Sequence, residues 1–462
     1  PDYIARFTNQ GARLKSFRLK HYRAGVDIGS PLIEMVSRGL GTEYPLGLRL
    51  DDTPGGTDQG IVYKIQSADL NIGTDGDGSI TFVGSAPSGR SVVKEFTFNG
   101  SSYAVEVGVS VGKSPQGVSL SLTTSGAPKG VKGDGIFEGV IALREGEITR
   151  EWPGDIEGRL NLSAPLSWVG FGYTYFVSAL IPTDGVEADA TVTPVPGQDR
   201  GFTMETRGRV LSFGEPTARY RLFMGPKVLS LLKAFDRGLE ESIDFGYFGF
   251  ISVPMLHALH FFQGYTGNYG LAIVLLTLFI KLLLWPLTQK SFVSMKRMQK
   301  LQPQMQRLKD KFSGDKQRLN KEMMDLYKRN KVNPFGSCLP MLLQFPFFIG
   351  FYNALLTPIE LRHASFLWIK DLSRPDWESL PFSAFGFDVG IPILVLLMGA
   401  SMFIQQWMSP AIGDPNQRRM MMLMPLVFTV IFVSFPSGLT IYWFMNNLLS
   451  ILQQYMINRK EG

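Results

Sequence analysis

A lysine, Lys281, interrupts the apolar run from Tyr269 to Leu287, Tyr-Gly-Leu-Ala-Ile-Val-Leu-Leu-Thr-Leu-Phe-Ile-Lys-Leu-Leu-Leu-Trp-Pro-Leu. At about 1.5 Å of rise per residue the run is long enough to cross a bilayer. A charge near the bilayer centre costs roughly 2.5 to 3.5 kcal/mol on insertion scales, so intramembrane cations usually face a bundle interior or a wet cavity. The other reading is snorkelling, in which the long stem carries the ammonium to the interface. Position alone leaves both open.

The chain then turns basic. Between Lys290 and Lys331 thirteen Lys or Arg, among them Lys296, Arg297, Lys300, Arg307 and Lys309, stand against four acids. The positive-inside rule places such a loop in the cytoplasm. Met295, Met298, Leu301, Met305 and Leu308 recur at helical spacing, Ser313-Gly314 breaks the pattern, and Leu319, Met323, Leu326 and Tyr327 resume it. The spacing predicts an antiparallel helical hairpin over 290–331, with Pro303 kinking or restarting its first arm.

Further apolar stretches predict spans at about 338–357 and 389–408. The run over 420–457 is too long for one crossing, and Pro436-Ser437-Gly438 should split it into 420–435 and 438–457. With about 268–288 this makes an all-α core of five spans over 267–462. The loop from Pro358 to Asp388 carries five acids and three bases, whereas Arg418, Arg419, Arg459 and Lys460 flank the other ends. That alternation puts the C-terminus in the cytoplasm and the N-terminal portion outside.

Residues 1–225 read as an all-β domain. Segments such as Ile80–Val83, Lys94–Phe98, Tyr103–Val111 and Val118–Leu122 alternate with period two between Gly, Asn, Asp and Ser turns. With 22 bases and 25 acids this part is slightly acidic, so the overall charge of +6 comes from the membrane half and no nucleic-acid partner is implied. A convergent acid pair for glycoside chemistry is missing, which favours a scaffold or partner-docking role. Residues 226–266 read as amphipathic helices in the outer interface: Val228, Leu229, Leu231, Leu232, Phe235 and Leu239 oppose Lys233, Asp236, Arg237, Glu240 and Glu241, and a second stretch is cut by Pro254. One Cys, Cys338, and four His leave no set of zinc ligands.

The working groups must come from polar residues on the spans. Thr277 and Lys281 are four apart and share a face. Tyr442, Trp443, Asn446, Asn447, Ser450, Gln453 and Gln454 lie on the last span, and Gln344, Ser401, Gln405 and Thr429 add polar groups to the others. Hydrogen bonding between helices accounts for the amides. It does not account for Lys281, because none of the five stretches contains Asp or Glu. An uncompensated lysine implies water, hence a hydrated cavity open to the cytoplasm and lined by Thr277, Lys281 and the polar face of the last span. A secondary transporter would need paired titratable groups and internal repeats. An intramembrane protease would need an activated nucleophile, and neither Ser401 nor Ser434 stands in a Gly-rich elbow.

Several strings together carry a resemblance. Gly267-Asn-Tyr-Gly-Leu-Ala-Ile, Lys281 with Trp285-Pro-Leu-Thr288, Met295-Lys-Arg-Met-Gln-Lys-Leu-Gln-Pro303, Lys331-Val-Asn-Pro-Phe-Gly-Ser-Cys-Leu-Pro-Met-Leu-Leu-Gln-Phe-Pro346, Phe366-Leu-Trp-Ile-Lys-Asp-Leu-Ser373 and Phe435-Pro-Ser-Gly438 stand in order over roughly 246–459. This region resembles the core of YidC-type membrane protein insertases. The resemblance implies a multidomain protein of the bacterial inner membrane, with a periplasmic β-supersandwich before the five-span core. It implies a hydrophilic groove open to cytoplasm and lipid, a greasy slide matching Phe347, Phe348, Met402, Ile431 and Trp443, and the Sec translocon and ribosome as partners beside nascent membrane proteins. It implies no enzyme activity, cofactor or small-molecule substrate. Lys281 departs from the pattern, since the family usually has Arg there and a lysine lacks the bidentate fork. The chain begins at Pro1, yet the β domain must be exported, so a preceding signal-anchor span is expected.

Overall fold

The computed structural model describes residues 2–37, 43–50, 53, 56–66, 69–112, 118–128, 131, 137–183, 186–195, 202–210, 217–235, 237–330, 332, 339–379, 381–384, 387–408 and 415–460. The chain forms two compact units, Pro1–Asp244 with Thr357–Ile359, and Phe245–Leu356 with Glu360–Gly462.

The first unit is antiparallel β. Its largest sheet has nine strands in the order Glu147–Glu151, Gly139–Arg144, Trp168–Gly172, Phe176–Pro182, Thr217–Pro226, Ala104–Val111, Ser91–Asn99, Asp77–Ser85 and Lys64–Ile65. A second has five, Leu160–Leu162, Val186–Pro194, Phe202–Val210, Val118–Thr124 and Gly47–Leu48; a third has three, Tyr3–Thr8, Arg13–Arg23 and Leu32–Glu34. Phe176–Pro182 is buried along its whole length, which requires packing on both faces and explains why it shows no period-two alternation. Ser91–Asn99 shows period-two burial, with Val92, Phe96 and Phe98 inward.

One inward position on that strand is charged. Lys94 is fully buried and meets Asp58 at 2.6 Å, and Arg13 reaches the same carboxylate at 3.1 Å. Lys94 Nζ also donates to the carbonyls of Gly11 and Leu46, each at 2.7 Å. Burial pushes the Lys94 amine down, while the Asp58 charge opposes that shift.

The segment after the last strand differs from expectation. Residues 226–244 do not make one interfacial helix: they form α1, Leu229–Ala234, and a 3-10 turn, Leu239–Ser242. Phe235 packs edge-on against Phe223 and under Arg221, and Trp168 Nε1 donates to Gly238 O. The apolar side of this amphipathic stretch is covered by the β unit itself.

The second unit holds α2 (Gly249–Thr266), α3 (Tyr269–Lys311), α4 (Lys316–Arg329), α5 (Leu339–Leu356), α6 (Ile393–Met408), α7 (Pro415–Phe432) and α8 (Ser437–Lys460). Gly267 ends α2 at φ 65°, a left-handed turn that favours glycine, and the Asn268 side chain then accepts from Leu271 N at 3.1 Å to start α3. Pro254, Pro286 and Pro303 all lie inside helices. The stretch around Pro254 is one helix, as read from the sequence, and of the two outcomes expected at Pro303 the restart does not occur, so α3 runs 43 residues from the apolar segment into the basic arm. A Pro costs about 3 kcal/mol inside a helix. Met298, Leu301 and Met305, packed on Val332, Met323, Leu326 and Tyr327, offset that cost around Pro303. Among the described residues α3 is long and apolar enough to cross a membrane, and Ile393–Met408 and Met420–Phe432 are shorter apolar segments. Residues 387–390, expected partly in a span, form a strand paired with Pro381–Ala384. Lys331 and Cys338 lie outside the described residues.

The loop between α5 and α6 fixes helix ends. Asp376 accepts from Leu394 N at 2.7 Å, Trp377 Nε1 donates to Val433 O at 3.0 Å, and Ser437 Oγ donates to Arg374 O at 2.6 Å. The arm α4 is tied less firmly, having no fully buried residue. Its amides are expected to exchange on the order of a hundredfold faster than those of α8. Hydrogen exchange on the purified protein checks this; equal protection of the two helices would contradict it.

Candidate functional site

Lys281 lies two turns before the end of the apolar run, on the face of α3 that carries Ile273, Leu276, Thr277 and Ile280 inward. That face packs against α8, whose residues 446, 450 and 453 repeat at three- and four-residue spacing. Lys281 is 6 % exposed, and its Nζ donates to Ser450 Oγ at 2.6 Å and Asn446 Oδ1 at 3.4 Å. Among the described residues no carboxylate forms an ion pair with it. A buried cation held only by neutral oxygens is unusual, because a hydroxyl and an amide dipole replace water poorly.

The contact is one of a series along α8. Gln453 Nε2 donates to Thr288 Oγ1 at 2.9 Å and to Trp285 O at 3.2 Å. On the other side of α8, Asn447 Nδ2 donates to Ser401 Oγ at 3.2 Å, and Gln454 Nε2 to Met408 O at 2.6 Å. The helix thus joins α3 and α6 through amides, a pairing suited to low dielectric. Thr288 stands in the sequence as the end of the Trp285–Thr288 string, without a role assigned to it there; its spacing of seven from Lys281 was the signal that both share a face.

The remaining candidates are spread over the helices. Thr277 is buried beside Lys281, but its hydroxyl donates to Ile273 O at 2.7 Å within its own helix. Tyr442 is buried and stacks on Phe351 at 4.3 Å, and Gln344 is half-buried on α5. Thr429 donates to Pro425 O at 2.7 Å and abuts Gly399, where a Cβ would clash with it, so it sets the approach of α7 to α6. Gln405 is half-buried on α6. Trp443 meets Phe348 at 4.7 Å and Phe432 at 5.2 Å, and its ring N–H is buried without a hydrogen-bond partner. Phe347, Phe348 and Met402 pack on the same apolar cluster, whereas Ile431 is half exposed. The basic residues Lys296, Arg297, Lys300, Arg307 and Lys309 follow on the polar part of α3. Among the described residues no cluster of His, Cys, Asp or Glu could hold a metal.

Comparison with known proteins adds the following. Residues 1–258 match the model of the YidC periplasmic domain, and residues 261–462 that of the 60Kd inner membrane protein. The membrane protein insertase YidC of Geobacter sulfurreducens is 39% identical over 99% of this chain and 85% of the relative. That of Syntrophus aciditrophicus is 38% identical over 100% of the chain and 84% of the relative. A solved structure described as an active YidC insertase with the first transmembrane domain resolved aligns over 98% of this chain and 90% of its own, at 18% identity and a TM-score of 0.44.

Proposed function

The chain belongs to the YidC family of membrane protein insertases, and from that premise we propose that insertion runs along the polar seam between α3 and α8. It is an inner-membrane protein with a periplasmic β domain and no enzyme chemistry; nascent membrane proteins and lipid are what it handles.

In our reading the apolar segments of α3, α5, α6, α7 and α8 are the five spans. The basic stretch after Leu287 and the C-terminus then face the cytoplasm, and the β domain faces away from it, an orientation supported by the loop charges. The observation that carries the reading is the buried Lys281, whose partners among the described residues are Ser450 and Asn446. Such a cation holds water and attracts acidic groups. A client's polar tail entering from the cytoplasm would find Lys281, Asn446 and the neighbouring amides part-way across, which shortens the low-dielectric path. Its hydrophobic helix would leave past Phe347, Phe348, Met402, Ile431 and Trp443 into lipid, driven by apolar burial. The basic arms of α3 and α4 suit anionic lipid or a ribosome, and the Sec translocon is a further partner in this reading.

Reconstitution tests it. Purified protein in liposomes is expected to insert a short two-span client without nucleotide or ion gradient. In a Cys338→Ser background, Asn446→Cys should form a disulfide with a cysteine in the client's translocated tail. Leu397→Cys, which is exposed on the outer face of α6, should capture only the client's hydrophobic segment. Capture of the tail from Leu397→Cys but not from Asn446→Cys would place the path elsewhere.

A further inference from the structure

The β unit carries a groove of about 910 Å³ for which the polar seam has no use. It runs between two sheet edges. One wall is Tyr3–Thr8, the outermost strand of the three-stranded sheet; the other includes Ile65, from the strand that ends the nine-stranded sheet, and continues through Leu70. An outermost strand leaves a row of backbone N–H and C=O groups without ladder partners. Beside them Ile4, Ile65 and Leu70 are 40 %, 52 % and 42 % exposed. Unpaired backbone next to apolar side chains is the surface to which an extended polypeptide adds as a further strand.

The charges select which polypeptide. Arg6, Lys15, Arg18 and Lys20 line the groove, against Glu34 and Asp69. Glu34 is engaged within the fold: it accepts from Phe17 N at 2.6 Å and Val36 N at 3.2 Å, and pairs with Arg18 at 3.3 Å. Arg6, Lys15 and Lys20 are exposed and make no ion pair among the described residues. Lys15 sits at a register shift: Arg6 faces Ser16 and Phe7 faces Leu14, so Lys15 is the extra residue of a bulge, a device that re-aims a side chain. On the same wall the Tyr3 hydroxyl is buried without a hydrogen-bond partner. That hydroxyl is enclosed, so what the groove offers a ligand is its free cations beside unpaired backbone.

We propose that this groove docks an extended acidic polypeptide segment, the translocated tail of an insertase client, by strand addition along Tyr3–Thr8. The proposal rests on the family's function and on the periplasmic placement of the domain, and is independent of the seam between α3 and α8.

The test uses the full chain in nanodiscs and fluorescent ten-residue peptides in which Ile alternates with Asp, Lys or Ser, followed by anisotropy. The Ile-Asp peptide is expected to bind at low salt and to weaken at 0.5 M salt, with the other two at least tenfold weaker. The triple variant Arg6→Glu, Lys15→Glu, Lys20→Glu should lose at least tenfold in affinity for Ile-Asp and gain affinity for Ile-Lys. All three side chains are exposed, and an unchanged melting temperature confirms that the variant folds. Asp69→Asn should tighten Ile-Asp binding. Equal binding of the three peptides, or a folded triple variant that binds like the parent, would overturn the proposal. So would a sulfated oligosaccharide that binds tighter than Ile-Asp and displaces it, since the groove would then be a glycan site. Client insertion is measured on the same preparations. Loss of peptide binding with insertion kept marks the groove alone, and an active Lys281→Ala variant would count against the seam without touching the peptide result.

Discussion

Lys281→Ala is expected to reduce insertion of clients with acidic translocated tails by ten- to a hundredfold while the protein remains folded and correctly oriented. The magnitude follows from Coulomb's law: a carboxylate about 6 Å from the ammonium gains roughly 2–3 kcal/mol at an effective dielectric of about 20. Lys281→Arg should keep most activity, because Ser450 Oγ and Asn446 Oδ1 are both acceptors and serve a guanidinium as well as an amine. Lys281→Glu should be at least as defective as the alanine variant. Neutral tails should suffer little. The alanine change removes a buried charge that no carboxylate among the described residues compensates, so it should cost little folding free energy and leave expression intact. Proteoliposome assays with matched acidic and neutral tails decide the matter; equal activity of the alanine variant and the parent on every tail would show that the lysine only packs.

The opposite stability response is expected in the β unit. Asp58 is fully buried and accepts from Arg13 at 3.1 Å, Lys94 at 2.6 Å, Leu48 N at 3.0 Å and the Tyr63 hydroxyl at 3.1 Å. Asp58→Ala would leave Lys94 buried without a counter-charge and Arg13 paired with Glu43 alone, a change that typically costs 3–5 kcal/mol. Against a usual domain stability of about 5–15 kcal/mol, that loss should unfold a substantial fraction of the unit under mild urea. Pulse proteolysis of the full protein across a urea series measures it, with cleavage sites mapped to residues before 245. A shift below about 1 kcal/mol would mean that the network is relaxed by water or by rearrangement. The contrast between the two variants separates a charge kept for structure from one kept for function: Asp58 answers two cations within the fold, and nothing in the described fold answers Lys281.

Much of this was legible in the residues. Period-two alternation announced strands such as Ser91–Asn99 and Ala104–Val111, because a strand with one face inward must alternate. The apolar runs gave the helices, and Pro436-Ser437-Gly438 marked the break between α7 and α8, since Pro and Gly act on their own backbone. Lys281 drew attention because its cost depends on its immediate neighbours in the chain. The strands after Gly139 were less readable: those buried on both faces lose alternation, and their apolar runs look like any core segment.

Other features depended on contacts that local pattern does not encode. Periodicity fixes which side a residue faces but not what it meets, so Lys281 and Ser450, 169 positions apart, became partners only when α3 packed on α8. The burial of Lys94 with Asp58 and Arg13 is of the same kind, because a lysine on a strand reads as solvent-facing until loops from elsewhere in the chain close over it. The stretch over 226–244 was amphipathic as expected, yet an apolar stripe is equally well covered by lipid or by a β sheet, and here Phe223 and Trp168 cover it. Pro303 failed to stop α3 for a related reason: its penalty is local and fixed, whereas the packing that offsets it comes from α4 and Val332 across the hairpin. The sequence by itself determined most element types and faces and singled out Lys281. Tertiary structure alone decided which polar groups meet, since meeting depends on the closure of loops that no local spacing records.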